Sequence, residues 1–383
     1  MIDDHFFRRE HARIVAALVR VLGDVALAED VAHDAYIRAL EVWKVQGLPD
    51  NPAAWITTVA KRRAIDVLRR SRPIPIEEQT IELAFDGSAI RDEQLRMMFA
   101  CCAPELAQPV HVTLILNLLC GFGAPEIAAA LLETRAAVEK RITRGKRDLA
   151  ANRDWLDVAN ASLPARTPTV QRALYLLFSE GYHGSDAIRT ELCDEAVRLV
   201  RLLADARPEP STFALAALMC LHAARLPART ELCAFADQDR SLWDRALVAE
   251  GLAYFDRAAT GTELSAYHVE AAIAVTHASA PSVADTDWPA IAALYDRLHA
   301  LAPSPVVALN RAIAIGQTDA AAGLVAIRRI APIINYPFQP AAEAELHVRL
   351  GDRAAALVAF NRAFALARNH AERQYLANRI AAI

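Results

Sequence analysis

The chain has 383 residues, 54% of them hydrophobic, and a formal net charge of −4. That length supports two or three separately cored domains, and that charge excludes a globally basic, DNA-coating protein. Any nucleic-acid surface has to be local. Glycine is sparse at 13 residues and β-branched runs are few, so the predicted fold class is all-α. Cysteines 101, 102, 120, 193, 220 and 233 show no CxxC spacing and read as buried, reduced thiols. No stretch approaches about 18 uninterrupted apolar residues, and Met1-Ile2-Asp3-Asp4-His5 has no signal-peptide pattern, so a cytoplasmic protein with no membrane partner is expected.

In chain order, residues 5–22 predict an amphipathic helix with Phe6, Phe7, Ile14, Leu18 and Val21 inward. Gly23-Asp24 breaks it. A second helix follows from about Ala26 to Trp43, with Ala28, Val31, Ala35, Leu40 and Trp43 inward and a mostly acidic ridge of Asp30, Asp34, Arg38 and Glu41 outward. Asn51-Pro52 is an N-cap and first-turn pair, opening a third helix to about Arg70. Its far end carries Lys61, Arg62, Arg63, Arg69, Arg70 and Arg72 against a single acid, Asp66. The Pro-interrupted, polar stretch 73–92 reads as a linker.

Beyond it comes an apolar helix ending near Leu119, a break at Gly121-Phe122-Gly123, a short helix from Pro125 to Leu131, and a basic helix from about Thr134 to Ala150. Ala137, Val138, Arg141, Ile142 and Leu149 set the inner stripe of that last helix. Arg135, Lys140, Arg141, Arg144, Lys146 and Arg147 stand against one acid, Glu139. A solvated helix usually mixes its signs to gain i,i+4 pairs. A run of one sign favours a phosphate backbone, and the pattern is a helix-turn-helix.

These stretches resemble a known family. Ala28-Glu29-Asp30-Val31-Ala32-His33-Asp34-Ala35-Tyr36-Ile37-Arg38-Ala39 resembles the region-two helix of extracytoplasmic-function sigma-70-type factors. Asn51 to Ile56 and Ala64 to Arg70 resemble that family's −10-melting segment, and Glu126 to Lys146 its −35-reading region four. The turn departs at Leu132-Glu133, where Gly-Ile is usual. The resemblance implies RNA polymerase core (the coiled coil of the largest subunit, the flap of the second) and promoter DNA as partners. It implies polymerase contacts at Asp30, Asp34, Arg38 and Glu41. Trp55, Lys61, Arg62, Arg63, Arg69 and Arg70 would face the −10 strand, although Trp55 also starts the apolar stripe of its helix. Arg135, Lys140, Arg141, Arg144, Lys146 and Arg147 would serve the −35 element. The expected domains are 1–72, a linker 73–92, 93–155, and a helical extension 156–383.

Near the end of that extension, Gly351-Asp352, Ala356, Phe360, Ala363 and Leu366 resemble half of a tetratricopeptide repeat, and Asn310-Arg311-Ala312 recurs as Asn361-Arg362-Ala363. The stretch containing Glu180 and Tyr182 looks specific rather than repetitive. So does the run with Asp237, Asp239, Arg240, Trp243, Asp244 and Arg245, and so does Asp285-Thr286-Asp287-Trp288. Together they resemble the family branch with a long helical-repeat extension, which implies a regulatory role and an unidentified partner or ligand for the repeats. The Asp cluster could hold a hard cation, but Arg240 and Arg245 alternate with it, so an ion-pair network is the better reading and no metal or cofactor is expected. No Gly-rich phosphate loop, nucleophile elbow or HExxH motif is present, so the chain is not read as an enzyme. The alternative is a helical-repeat scaffold, which would leave two like-charged helices unexplained.

Overall fold

A computed structural model describes residues 4–71, 87–103, 106–131, 133–151, 163–182, 188–229 and 237–383. These are helical, with no strand among the described residues. The linker residues 72–86, Leu132, and the connections 152–162 and 230–236, with Cys233, lie outside them. The chain divides into two compact units, Met1–Glu180 and Gly181–Ile383.

In the first unit α1 (Asp4–Leu22), α2 (Val25–Gln46) and α3 (Pro52–Ser71) pack on one another. Asp24 caps α2, accepting from Leu27 N at 3.0 Å, and Asn51 caps α3, accepting from Ala54 N at 3.0 Å. A fourth helix, α4 (Gly87–Cys101), begins inside the stretch expected to be linker and lies against α1. Residues Ile14 to Val19 of α1 are all at most 2% exposed. A helix apolar all round needs partners all round, and α1 has α2 and α3 as well as α4. The predicted single inner face, of which Ile14 and Leu18 are buried, is therefore only part of what α1 buries.

α5 (Gln108–Leu114) runs into a π-turn at Ile115–Leu119. Then come α6 (Ala124–Leu131) and α7 (Arg135–Ala151). Gly145, mid-α7, touches α5: a Cβ there would meet Leu114 and Val110 side-chain carbons at 3.0 Å. A helix-interior glycine costs about 1 kcal/mol, offset here by close approach. α8 (Leu163–Tyr182) ends the unit.

The second unit is a succession of α9 (Thr190–Ala206), α10 (Pro210–Ala223), α11 (Arg245–Ala258), α12 (Ala266–Ser279), α13 (Trp288–Leu301), α14 (Pro305–Thr318), α15 (Ala320–Arg328), α16 (Phe338–Arg349), α17 (Arg353–Ala365) and α18 (His370–Ala381). Much of the packing joins successive helices, with α10 also packed on α12, and among the described residues small hydrophobic cores centre on Ile291, Leu324 and Phe360. Pro210–Ala228 is apolar and long enough to cross a membrane, but 67% of it is buried in the unit. The recurring Asn-Arg-Ala has a shared use. Arg311 of α14 pairs with Asp296 of α13 at 2.5 Å, and Arg362 of α17 pairs with Glu343 of α16 at 3.3 Å. Ala312 and Ala363 are buried beside them. Gly316 and Gly323 let the α14 and α15 backbones touch, a Cβ on Gly323 falling 2.6 Å from Gly316 Cα.

Among the described residues, the Asp-rich run forms caps and a staple. Asp239 accepts from Ser241 N at 2.8 Å, the Ser241 hydroxyl and then its N–H holding the carboxyl below the ordinary range, and Asp244 caps α11 through Ala246 N (2.9 Å) and Leu247 N (3.1 Å). Arg240 lies 5.0 Å over the Trp243 ring and donates to the carbonyls of His277 (2.9 Å) and Ala280 and to Thr286 Oγ1 (3.5 Å). Trp288 donates to Val283 O at 3.1 Å and meets His277 edge-on. Arg240 thus ties the connection before α11 to the connection before α13. Arg240→Ala is expected to leave those carbonyls without their donor, costing about 1–3 kcal/mol. At about 2–4 °C per kcal/mol, the melting temperature of the full chain should fall by about 2–12 °C in calorimetry. An unchanged transition would mean the two connections are held by other contacts.

Candidate nucleic-acid interface

The starts of α6 and α7 are held by local side chains. Glu126 accepts from Gly123 N at 2.8 Å, and Thr134 accepts from Ala137 N at 3.3 Å. α7 buries Val138, Leu149 and Gly145. Its opposite face exposes Lys140, Thr143, Arg144 and Arg147, a stripe at i, i+3, i+4, i+7. Arg144 and Arg147 are 76% and 74% exposed and share Asp148 at 3.7 and 3.6 Å, while Arg135 pairs with Glu139 at 2.7 Å. Exposed pairs of this kind are worth about 0–1 kcal/mol, so they yield to a phosphate.

Arg141 faces inward. It grips Glu133 of the turn at 3.0 and 2.5 Å and donates to the buried Thr113 Oγ1 at 3.1 Å. The departure at Leu132-Glu133 thus has a use at Glu133, the acceptor for Arg141; Leu132 is outside the described residues. Its position in the apolar stripe of the helix was the available signal. Arg141→Ala is expected to destabilise the helix-turn-helix by about 1–3 kcal/mol, with Arg141→Lys a poor substitute because an ammonium cannot make the fork. Hydrogen exchange of α6 and α7 would rise in both variants. Unchanged exchange would show the pair to be incidental.

On α3, Arg62, Arg69 and Arg70 are exposed and Lys61 is half-buried. Arg63 instead reaches back to Asp34 of α2 at 2.9 Å. Trp55 is half-buried with its ring 5.5 Å from Trp43, pinning α3 to α2. On α2, Asp30 is exposed and Arg38 pairs with Glu41 at 3.2 Å.

α2 is also unusual in what it buries. Ala28, Ala32, Ala35 and Ala39 face inward, whereas Ile37 and Leu40 are 57% and 59% exposed, followed by Val45 and Leu48. Leu40, expected inward, points outward because alanines let α1 come close along the other face. These exposed apolar residues were missed from sequence; the alanine periodicity was the clue.

Two further contacts join the first three helices to the helices that follow, one to α7 and one to α4. Lys146 of α7 binds both oxygens of Glu29 on α2, at 2.7 and 2.6 Å, and Arg20 of α1 pairs with Glu93 of α4 at 3.4 Å. Beside the first pair lies an open cleft of about 760 Å³, lined in part by Asp30, His33, Asn117 and Arg147. Burial pushes the His11 imidazole at its floor down to about 4, with His33 and Lys146 adding to the shift. In the second unit, Tyr182 is buried under the Arg229 guanidinium, 4.0 Å above its ring. Asp237 is exposed and lies in the field of Arg379, Arg245 donates to Arg240 O at 3.3 Å, and Glu180, at the end of the first unit, is half-buried. Among the described residues, no three His, Cys, Asp or Glu side chains are placed to hold a metal ion.

A helix trio with a basic outer helix is thus followed by a helix-turn-helix whose second helix is basic. The sequence matches the family Sigma-70 region 2 over residues 6–74, and a family of unknown function (DUF6596) over residues 166–259. It is 37% identical to an uncharacterised protein of Rhizobium meliloti (strain 1021), over 94% of this chain and 91% of that one. It is 30% identical to the ECF RNA polymerase sigma factor SigL of Mycobacterium tuberculosis (strain ATCC 35801 / TMC 107 / Erdman), over 45% of this chain and 86% of SigL. Its identity to the ECF RNA polymerase sigma factor SigK of Mycobacterium sp. (strain KMS) is 25%, over 37% of this chain and 78% of SigK. No solved structure matches the chain. The chain belongs to the extracytoplasmic-function (ECF) RNA polymerase sigma factor family.

Proposed function

We propose that the chain brings RNA polymerase core to a set of promoters in the cytoplasm, with the α2 outer face on polymerase, α3 on the −10 element and α7 on the −35 element. The observation that carries this reading is α2. A helix that buries alanines and exposes Ile37 and Leu40 beside Asp30 and Glu41 is built for a protein partner. Within the groups named from sequence, Arg62, Arg69 and Arg70, and Arg135, Lys140, Arg144 and Arg147, are turned outward and can meet DNA. Arg63, Arg141 and Lys146 are engaged within the protein. Bond chemistry is left to the polymerase.

The second unit serves as a tetratricopeptide-like regulatory extension in this reading. Successive packing, separate small cores and the repeated Arg-to-acid tie support it. The test is co-purification with polymerase core and run-off transcription from a genomic library, for the full chain and for a chain ending at Glu180. Transcripts sharing spaced −35 and −10 elements are expected, with different yields for the two chains. No core association by either would overturn the assignment.

A further inference from the structure

We propose that the groove between α5 and α8 is a binding site for a small organic carboxylate, with its charged head on Arg172 and its apolar body between the helices. The groove lies within the first unit and has a volume of about 290 Å³. That equals the liquid share of about ten water molecules and sits at the lower edge of small-molecule sites, which fits a ligand of about ten non-hydrogen atoms. Val112 of α5 and Pro168, Ala173 and Leu176 of α8 line it with apolar surface. Gln108, Thr169 and Arg172 supply donors along the same lining.

α8 is built to serve two neighbours. Thr167, Val170, Leu174 and Leu177 are buried and recur at i, i+3, i+7 and i+10, so one side of the helix is used up in packing. Pro168, Arg172 and Leu176 recur at i, i+4 and i+8 on the adjoining stripe, which lines the groove. Arg172 is exposed, lies 5.8 Å from the centre of the Tyr175 ring, and has no acid within ion-pair distance among the described residues. His111 is the buried polar side chain of the lining, 6% exposed. Its Nε2 lies 3.1 Å from Ala103 O, which assigns the ring proton to Nε2, and burial holds the imidazole below its ordinary pKa and so neutral. Arg172 is then the one charged group of the lining, and it selects a ligand with a single anionic head. An apolar body that leaves water for Val112 and Leu176 adds affinity that a bare inorganic anion lacks. The groove also joins two parts of the sequence. Thr113, next to Val112 on α5, accepts from Arg141 of α7, while the α8 residues fall in the stretch 166–259 matched by the family of unknown function. On the sigma-factor reading above this is an effector site beside the −35 module, although binding itself does not rest on that reading.

The test is isothermal titration of the full chain with benzoate, which is about the right size, with benzyl alcohol and inorganic phosphate as comparisons. Benzoate is expected to bind one to one, and Arg172→Gln to weaken it about 10- to 150-fold, the range of a charge-assisted hydrogen bond. Benzyl alcohol has the ring without the charge, so it should bind more weakly and equally to both chains. Leu176→Trp should fill the groove and abolish benzoate binding while the circular dichroism stays that of the wild type. Hydrogen exchange of α5 and α8 should slow on benzoate addition in the wild type and stay unchanged in Leu176→Trp. No saturable benzoate binding, or equal affinity in Arg172→Gln, would overturn the site. Phosphate binding as tightly as benzoate would overturn the organic acid as its ligand. The titration contains neither polymerase nor DNA, so a chain that fails to associate with core loses the sigma assignment and leaves this result standing.

Discussion

Replacing Ile37 and Leu40 together by glutamate is expected to lower the affinity for polymerase core by at least about 100-fold, while the melting temperature moves by no more than about 2 °C. Both side chains are more than half exposed, and surface changes of that kind cost within about 0.5 kcal/mol. Glutamate is a good helix former, so α2 itself loses little. The new carboxylates do add repulsion towards Asp34 and Glu41 at helical spacing, a few tenths of a kcal/mol per pair. In a docked complex the same two positions would be desolvated, and apolar anchors at the centre of an interface each contribute about 2 kcal/mol or more. Two together give the expected factor. Alanine at both sites should have a smaller effect, since it removes contact without burying charge. Core affinity is the readout, with circular dichroism as the check on folding. Wild-type affinity in a folded double variant would remove α2 as the polymerase face.

That face shows where the sequence was readable and where it was not. Helix starts were legible because each is written locally: Asp24 and Asn51 both cap through their own side chains, and Pro52 fits a first turn. The direction of α2 was harder, because alanine satisfies an apolar stripe as well as leucine does. Reading Leu40 inward followed the larger residue, whereas the fold buries the smaller ones so that α1 can approach. Arg141 is the reverse case. Its place among Val138 and Ile142 marked it as inward, and the structure gives it a carboxylate and a hydroxyl to hold there. The aspartates at 239 and 244 look like a cation site when counted, but each precedes a turn or helix start that consumes its oxygens. The Glu29–Lys146 pair had no local signature, since nothing in either segment names a partner 117 positions away.

The outward stripe of α7 gives the second large effect. Lys140→Ala, Arg144→Ala and Arg147→Ala combined should cut the affinity of the polymerase holoenzyme for a promoter duplex, and should reduce the slope of log affinity against log salt by about 2 to 3. Each phosphate neutralised by a cation contributes about 0.9 to that slope on B-DNA, so the loss counts how many of the three touch the backbone. The arginines' present partner, Asp148, competes little, being a half-buried acid at more than 3.5 Å from both. All three positions are exposed, so the helix-turn-helix should keep its stability. Arg141→Ala provides the contrast: it should raise hydrogen exchange in α6 and α7 while the salt slope stays near wild type, because its guanidinium is committed to Glu133 and Thr113. A triple variant with an unchanged salt slope would mean that this face of α7 meets no phosphate. A slope lost equally in Arg141→Ala would mean that the turn, and not the stripe, positions the protein on DNA.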